Sequence, residues 1–254
     1  MDEKRRSRGA RGRTPQVVGC SQANLQTLRS GIMDMDNVSE AVSTFELSLA
    51  ASTVRREPYR HWLLKSPVPD ESARAISCLP FEPAMISDTK GRRETNNASR
   101  VFFNEENRAR FPVCEQMAQV FQNPTAIRAI ERGCGIRLKD SNLRIEYCQD
   151  TGDFWLEPHT DIAEKRFTML VYLSDEPEAE SWGTDIYDAA MNHLGSAPGG
   201  FNKGLIFIPG KDTWHGFRRR PVAGVRRSII VNYVSNAWRA RHELSFPSIP
   251  VGRR

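Results

Sequence analysis

The order of hydrophobic and polar positions divides the chain into a helical part and a β-rich part. Between residues 111 and 132, apolar side chains recur at the three- and four-residue intervals of an amphipathic helix. Pro124 interrupts this pattern, which therefore predicts two consecutive helices. From residue 142 onward, short apolar runs alternate with turn residues, as is typical of β-strands. These runs cover residues 143–149, 154–157, 166–174, 182–187, 204–209, 213–217 and 224–235.

Seven short strands with no helical pattern between them predict an antiparallel sandwich or barrel. The preceding segments are less regular: residues 37–52 predict a short helix or strand, and Asp70 stands where it can cap a helix over 71–76. Residues 90–100 are polar and aperiodic, which indicates a loop.

We therefore predict a mainly β protein with flanking helices (α+β). Residues 36–140 form a helix-rich part that packs on a β core of residues 141–240, and residues 241–254 form a C-terminal tail.

Composition and charge narrow the class of protein. Of 254 residues, 39% are hydrophobic and 26% charged, which is ordinary for a soluble globular protein. No apolar run approaches the ~20 residues of a membrane span, and the basic N-terminus lacks the apolar stretch of a secretory signal. The five cysteines are odd in number and show no CxxC spacing. This pattern argues against a disulfide framework and for a reducing, cytoplasmic setting.

The net charge of +5 comes entirely from the N-terminal segment of the chain. Residues 1–32 contain seven basic and two acidic side chains, so the remaining 222 residues are neutral in sum. Residues 1–35 also hold few large apolar side chains, and we expect them to form a disordered basic extension. A nucleic-acid-binding arm is the alternative interpretation, but the neutral body makes nucleic acid an unfavourable partner.

Candidate chemistry begins at the end of the second predicted strand, with His159-x-Asp161. In an extended chain, side chains two residues apart point to the same face. Such a pair can supply two of the three ligands of a mononuclear Fe(II) site with two histidines and one carboxylate. The site then needs a second imidazole.

Four other histidines are available for that position. His215 follows a strand and a tight turn at residues 209–212, which fixes its place, whereas His193 lies in a predicted loop. We choose His215, and we interpret His61 and His242 as hydrogen-bonded structural residues.

Arg226 and Arg227 are neighbours in an otherwise apolar strand, so they face opposite ways. Arg226 shares its face with Ser228 and Asn232. A guanidinium inside a barrel is unfavourable unless it meets an anion, and a carboxylate is its best partner. A dicarboxylic cosubstrate, bound to iron at one end and to Arg226 at the other, fits this requirement. The alternative partner is an internal Asp or Glu.

These features form an ordered set of motifs over residues 142–240. The set resembles the double-stranded β-helix (jelly-roll, cupin-like) core of Fe(II)/2-oxoglutarate-dependent oxygenases, particularly the prolyl-hydroxylase-like branch. The motifs are Pro158-His159-Thr160-Asp161, Phe167-Thr168-Met169-Leu170-Val171-Tyr172-Leu173, Trp182-Gly183-Thr184-Asp185, His215-Gly216-Phe217 and Val225-Arg226-Arg227-Ser228. The branch commonly has two glycines where this chain has Gly183-Thr184.

The resemblance implies a cofactor set and a set of site residues. Fe(II) would be bound by His159, Asp161 and His215, and 2-oxoglutarate and O2 would be consumed to give succinate and CO2 with hydroxylation of a substrate. The distal carboxylate of 2-oxoglutarate would meet Arg226 and Tyr172, and Tyr147 would approach the cosubstrate from the strand before the triad. Ser228, which shares the face of Arg226, is the fourth predicted cosubstrate contact. Because halogenating relatives replace the ligand carboxylate, the presence of Asp161 favours hydroxylation.

The substrate is left open by the sequence: it is a small molecule, a sugar or lipid intermediate, or a protein side chain. Candidate contacts are Arg93 and Asn97, in the loop at the expected cleft mouth, together with Phe217 and Asn232. A non-catalytic jelly-roll binding module is one rival interpretation. A nucleic-acid-directed demethylase is another, although such enzymes usually carry a second Arg at the position of Asn232. The oligomeric state is also open.

Overall fold

The computed structural model describes residues 35–83, 90–92 and 100–252. Within these ranges, five α-helices come before most of the sheet: α1 Met35–Ala50, α2 Asp70–Ser77, α3 Glu105–Arg110, α4 Pro112–Gln122 and α5 Pro124–Cys134. The strands are β1 Thr53–Arg55, β2 His61–Lys65, β3 Val101–Phe102, β4 Asn142–Thr151, β5 Leu156–His159, β6 Lys165–Tyr172, β7 Asp185–Tyr187, β8 His193–Ser196, β9 Lys203–Phe207, β10 His215–Phe217 and β11 Val225–Val234.

The strands form two antiparallel sheets. The larger has the order β1-β2-β9-β6-β11-β4-β3, and the smaller has the order β5-β10-β7-β8. From β4 to β11 the chain passes repeatedly from one sheet to the other, so that β4, β6, β9 and β11 face β5, β7, β8 and β10. This is a double-stranded β-helix, and the predicted fold class is confirmed.

Alternation along the central strand β11 gives the large sheet two different faces. Ile229, Val231 and Tyr233 are fully buried in one apolar cluster with side chains of α1, α4 and α5. The intervening residues face the space between the two sheets, where Leu170 of β6 meets Ile186 of the small sheet. The helices therefore cover the outside of the large sheet, and the polar side chains of β11 point inward.

Local sequence explains the helix boundaries on the outer layer. α4 and α5 each begin with a proline in the first turn, where the missing N–H is not needed. The Asn123 side chain caps α5 by accepting from the Thr125 N–H, and Gly135 ends it with a left-handed φ of 72°. The two helices predicted around Pro124 are thus observed.

Some local predictions are wrong. Asp70 is the first residue of α2 and makes no cap, because its carboxylate accepts instead from the Asn202 side chain at 2.6 Å. The pattern missed β8, whose sequence HLGS has no apolar run, and it missed β1 and β2. Residues 36–140 supply these two strands and β3 to the same sheet as the core.

The two ends of the chain differ in what can be described. The predicted extension over residues 1–35 lies outside the described residues, except that Met35 begins α1. The C-terminal segment packs on the core: the Ser245 N–H donates to the Leu143 carbonyl and the Val251 N–H to the Ser141 carbonyl.

The cysteines only partly follow the sequence expectation. Cys114, Cys134 and Cys148 are buried, and none of the three is disulfide-bonded. Cys78 is disulfide-bonded, so the argument from spacing against disulfides fails at this residue. Among the helices within the described ranges, none has the length and hydropathy needed to cross a bilayer.

The outer layer yields a stability prediction. Phe45 of α1 is fully buried, with its ring 5.3 Å from that of Phe121, whereas Leu47 on the same helix is 72% exposed. Phe45→Ala should lower the free energy of unfolding by about 3–5 kcal/mol, because it leaves a cavity under the sheet. Leu47→Ala should change it by no more than about 0.5 kcal/mol. Urea unfolding measures both, and equal losses would contradict the packing described.

Candidate active site

His159, Asp161 and His215 converge at the inner end of two paired strands. His159 ends β5, His215 begins β10, and the two are direct partners in the antiparallel register. Their rings lie 4.4 Å apart, and Asp161 follows His159 on the same side of the chain. One ligand atom from each residue lies within 4.8 Å of the others. This strand pairing brings together His159 and His215, which are more than fifty residues apart in the sequence.

Both imidazoles are oriented by the backbone. Nδ1 of His159 lies 2.8 Å from the Glu157 carbonyl oxygen, and Nδ1 of His215 lies 2.9 Å from the Thr213 carbonyl oxygen. Because a carbonyl only accepts, each Nδ1 carries the proton and each Nε2 keeps a lone pair. Burial lowers the pKa of His215 to about 4, so at neutral pH its ring is in the neutral form that binds metals.

Asp161 is held at both carboxylate oxygens. Lys165 Nζ donates to Oδ1 at 2.5 Å, and Thr168 Oγ1 donates to Oδ2 at 2.8 Å. Burial opposes the charge on Asp161, but Lys165, His215 and the hydroxyl of Thr168 outweigh it and lower the pKa of the carboxyl. Asp161 is therefore an ionised carboxylate whose orientation is fixed by hydrogen bonds to both oxygens.

The support for Asp161 extends through a buried polar chain. Asn232 donates its amide N–H to Thr168 Oγ1 at 2.9 Å, and Arg144 donates to Asn232 Oδ1 at 3.2 Å. Arg144 also donates to Glu146 at 2.8 Å and to Glu243 at 2.6 Å. A carboxylate near the C-terminus is thus connected to the candidate metal ligand by successive hydrogen bonds.

The donor set fits Fe(II). Two imidazole nitrogens and one carboxylate oxygen within 4.8 Å of one another match the ligand set of facial non-haem Fe(II) sites. Each ring has a hydrogen bond on its other nitrogen, as metal-bound histidines do. The carboxylate oxygens keep lone pairs beyond the two they share with Lys165 and Thr168.

Arg226 faces the interior and is buried, with a side chain 4% exposed. Its Nη1 donates to Asp150 Oδ2 at 2.5 Å, and its Nε donates to the Trp182 carbonyl oxygen at 2.6 Å. The Phe217 ring lies 4.6 Å from its guanidinium carbon. The internal carboxylate considered as an alternative partner therefore exists, and it is Asp150.

Tyr172 and Ser228 are opposite each other on neighbouring strands. The Tyr172 hydroxyl is bonded to Thr184, both to its side-chain oxygen at 2.9 Å and to its N–H at 3.1 Å. Ser228 Oγ is buried and has no hydrogen-bond partner among the described residues. An unpaired buried hydroxyl beside a guanidinium is a suitable donor for a bound carboxylate.

Solved structures with low sequence identity share this architecture. A prolyl-4-hydroxylase from Pseudomonas putida is 12% identical, with a TM-score of 0.52, over 77% of this chain and 100% of that one. A prolyl 4-hydroxylase structure from Phytophthora capsici is 11% identical, with a TM-score of 0.51, over 82% of this chain and 67% of that one. This chain has the prolyl 4-hydroxylase fold. No family model and no curated protein matches the sequence.

Within this prolyl 4-hydroxylase fold, three predicted site residues need correction. Tyr147 lies on the helix-facing side of β4, in the cluster with α4, so it does not face the cosubstrate space. Phe217 is 1% exposed and covers Arg226, and Asn232 is fully buried between Thr168 and Arg144. Neither side chain is free to contact a substrate. Arg93 and Asn97 lie outside the described residues.

The other histidines take structural positions in the same fold. His193 stands on β8, with Nε2 3.1 Å from Asp185 Oδ1, and belongs to no described metal cluster. His61 is buried, with Nδ1 2.9 Å from the Tyr59 carbonyl oxygen. The backbone carbonyl of His242 accepts from Asn104.

Several residues of the site were missed by sequence reasoning. Asp150 and Lys165 lie outside the quoted motifs, and Thr168 lies in one of them without an assigned role. The contacts of all three depend on strand register. Thr184 was noted only as a departure from a two-glycine pattern; its hydroxyl and N–H hold Tyr172, which glycine could do only through the N–H. Gly183 remains necessary, because a Cβ there would lie 1.7 Å from the Ala197 carbonyl oxygen.

The geometry predicts which histidine binds metal. His215→Ala should abolish stoichiometric Fe(II) binding, measured by anaerobic equilibrium dialysis, because it removes one of three ligands. His193→Ala should keep one Fe(II) per chain, since Asp185 retains Ser196 and Arg220 as partners. If His193→Ala loses the metal and His215→Ala keeps it, the ligand assignment is wrong.

Proposed function

We propose that the protein is an Fe(II)- and 2-oxoglutarate-dependent dioxygenase that hydroxylates a small molecule, a sugar or lipid intermediate, or a protein side chain. Succinate and CO2 are the co-products. The observation that carries the proposal is the convergence of two free Nε2 atoms and one carboxylate within 4.8 Å. When bound, iron and 2-oxoglutarate supply the oxidising chemistry with O2.

In this proposal His159, Asp161 and His215 would hold the metal through three ligand atoms, and 2-oxoglutarate and O2 would complete its coordination. Hydrogen bonds from Nδ1 to backbone carbonyls fix each ring in one tautomer. Lys165 and Thr168 keep Asp161 ionised and prevent its rotation. The site therefore needs little reorganisation on metal binding.

Arg226, Tyr172 and Ser228 are the proposed contacts of 2-oxoglutarate. They share the interior face of two neighbouring strands, β6 and β11. Arg226 uses Nε and Nη1 for protein acceptors and has N–H groups left on Nη1 and Nη2. The unpaired Ser228 hydroxyl supports a further acceptor there. These donors suit the distal carboxylate of a dicarboxylic acid.

Apolar side chains line the space between the sheets next to these groups. Leu170, Leu205 and Phe207 of the large sheet meet Ile186 of the small sheet, with Tyr59 beside them. Such a wall excludes water and strengthens the interaction of a bound anion with its donors. It also protects the oxidising chemistry from solvent.

The rival interpretations explain less of the site. A non-catalytic jelly-roll binding module does not require two oriented imidazoles beside a fixed carboxylate, so that interpretation leaves the triad unexplained. A nucleic-acid-directed demethylase is disfavoured because Asn232, at the position of the usual second Arg, is fully buried and bonded to Arg144.

The test is the conversion of 2-oxoglutarate to succinate, followed by mass spectrometry during a screen of candidate substrates. Wild-type protein should produce succinate only with added Fe(II). Asp161→Ala should reduce the rate by more than the roughly 10–100-fold that follows loss of a supporting residue, because a ligand itself is removed.

Asp153→Ala removes a carboxylate from an exposed turn and should leave the rate unchanged. Succinate formation at an equal rate in wild type and Asp161→Ala would contradict the proposed function. So would the absence of succinate with every substrate tried while one Fe(II) per chain is bound.

A further inference from the structure

Tyr59 is a buried aromatic residue beside the metal-ligand end of the barrel, although it belongs to the N-terminal part of the chain. It lies two residues before β2 and is 4% exposed. β2 pairs with β9 through five consecutive positions, and the first pair is His61 with Phe207. The centre of the Phe207 ring lies 6.3 Å from that of Tyr59 and 4.5 Å from that of His215. The strand pairing therefore brings Tyr59 to the side of a candidate metal ligand.

The Tyr59 hydroxyl is hydrogen-bonded to the residue that precedes this ligand. It donates to the Trp214 carbonyl oxygen at 3.2 Å, and the Tyr187 N–H donates to the same oxygen at 3.1 Å. This carbonyl belongs to the planar peptide group that joins Trp214 to His215. Donors from two other parts of the chain therefore fix the plane of the peptide, and with it the position from which the His215 side chain leaves the backbone.

The preceding peptide group, between Thr213 and Trp214, is fixed separately. Its N–H donates to the Asp212 carbonyl oxygen at 2.9 Å. Its carbonyl oxygen accepts from Nδ1 of His215, also at 2.9 Å. The orientation of the imidazole thus depends on two successive peptide planes, and Tyr59 is the side chain that holds the second.

The surroundings of Tyr59 keep its hydroxyl in place as a donor. Nδ1 of His61 lies 2.9 Å from the Tyr59 carbonyl oxygen, so His61 donates to the backbone of the same residue. Burial, together with the nearby Tyr172, Asp161 and Asp212, raises the pKa of the Tyr59 hydroxyl. The hydroxyl is therefore protonated at neutral pH and able to donate to the Trp214 carbonyl.

We propose that Tyr59 is a positioning residue for the metal ligand His215. Its hydroxyl holds the preceding peptide in the orientation that directs Nε2 of His215 toward His159 and Asp161. This contribution comes from the N-terminal part of the chain, outside the motifs that resemble the oxygenases. The inference rests on the proposed function in one respect, because it assumes that the triad binds a metal.

The test uses two substitutions that each remove one buried hydroxyl and keep the ring. Tyr59→Phe removes the bond to the Trp214 carbonyl. Tyr233→Phe is the matched control, because the fully buried Tyr233 hydroxyl donates to the Phe121 carbonyl, on the helix-facing side of β11. The dissociation constant for Mn(II) is measured by calorimetry on the full chain of wild type and both variants.

Tyr59→Phe should raise the dissociation constant for Mn(II) by about three- to tenfold, the equivalent of one neutral hydrogen bond that supports a metal ligand. Tyr233→Phe should keep the wild-type constant, because its lost bond lies away from the triad. A purely structural role of Tyr59 predicts a loss of stability without a change in metal binding. An unchanged constant in Tyr59→Phe, or an equal rise in Tyr233→Phe, would overturn the inference.

The geometry of the bound metal gives a second measurement. The visible absorption bands of Co(II) depend on the number and arrangement of its ligands. Tyr59→Phe saturated with Co(II) should differ from wild type in the position or intensity of these bands, because the His215 ring is held less firmly. Tyr233→Phe should reproduce the wild-type spectrum. Identical spectra of wild type and Tyr59→Phe would overturn the inference.

A third measurement keeps the test decisive if Tyr59→Phe is partly unfolded without metal. Mn(II) raises the unfolding midpoint of a protein by an amount that depends on its affinity for the folded state. At one Mn(II) concentration, the rise should be smaller for Tyr59→Phe than for wild type and Tyr233→Phe. Equal rises in the three proteins would overturn the inference.

The outcome for the proposed function is separate. If wild type binds no Mn(II), the proposed function fails and this inference fails with it. If wild type and Tyr59→Phe bind Mn(II) with the same dissociation constant, the metal site stands and only the role of Tyr59 is rejected.

Discussion

The two-residue alternation of β4, β6 and β11 is the constraint on which the rest of the molecule depends. One set of side chains is apolar and binds the helices to the outer face of the large sheet, as Ile229, Val231 and Tyr233 do. The other set faces the space between the sheets and includes the polar side chains that support the candidate metal site, such as Thr168 and Asn232. A shift of register by one residue would place Arg226 under the helices and Ile229 beside the triad. The register that buries the apolar side chains against the helices is therefore also the register that directs the site residues inward.

The interior polar groups are connected rather than isolated. Glu243, near the C-terminus, binds Arg144, which reaches Asp161 through Asn232 and Thr168. A buried charge is tolerated only when it is paired and its hydrogen bonds are satisfied, and this chain of contacts meets both conditions. The C-terminal segment consequently contributes to the orientation of a ligand far away in sequence.

The features that could be predicted from the sequence depend on residues close together in the chain. His159 and Asp161 are two residues apart in an extended segment, so strand geometry puts their side chains on the same face. His215 is placed by the turn that precedes it. Seven strands could be predicted from their apolar runs. The orientation of Arg226 also followed from alternation. Its partner did not, because Asp150 becomes visible only when β4 and β11 are aligned. Tyr147 was assigned to the cosubstrate only through the family resemblance. In the structure it is paired with Ile229 and shares its helix-facing side of the sheet. The strand β8 was missed since HLGS has no apolar periodicity.

The central claim is that a metal bound by the triad presents a 2-oxo acid to the Arg226–Asp150 pair. A crystal structure of the protein with Mn(II) and 2-oxoglutarate, prepared without O2, tests it most directly. The account predicts Mn(II) on Nε2 of His159 and His215 and on Asp161. It also predicts that the distal carboxylate binds Nη2 of Arg226 and the Ser228 hydroxyl while Asp150 stays on Nη1. Metal bound by other residues, or 2-oxoglutarate bound away from Arg226, would contradict it.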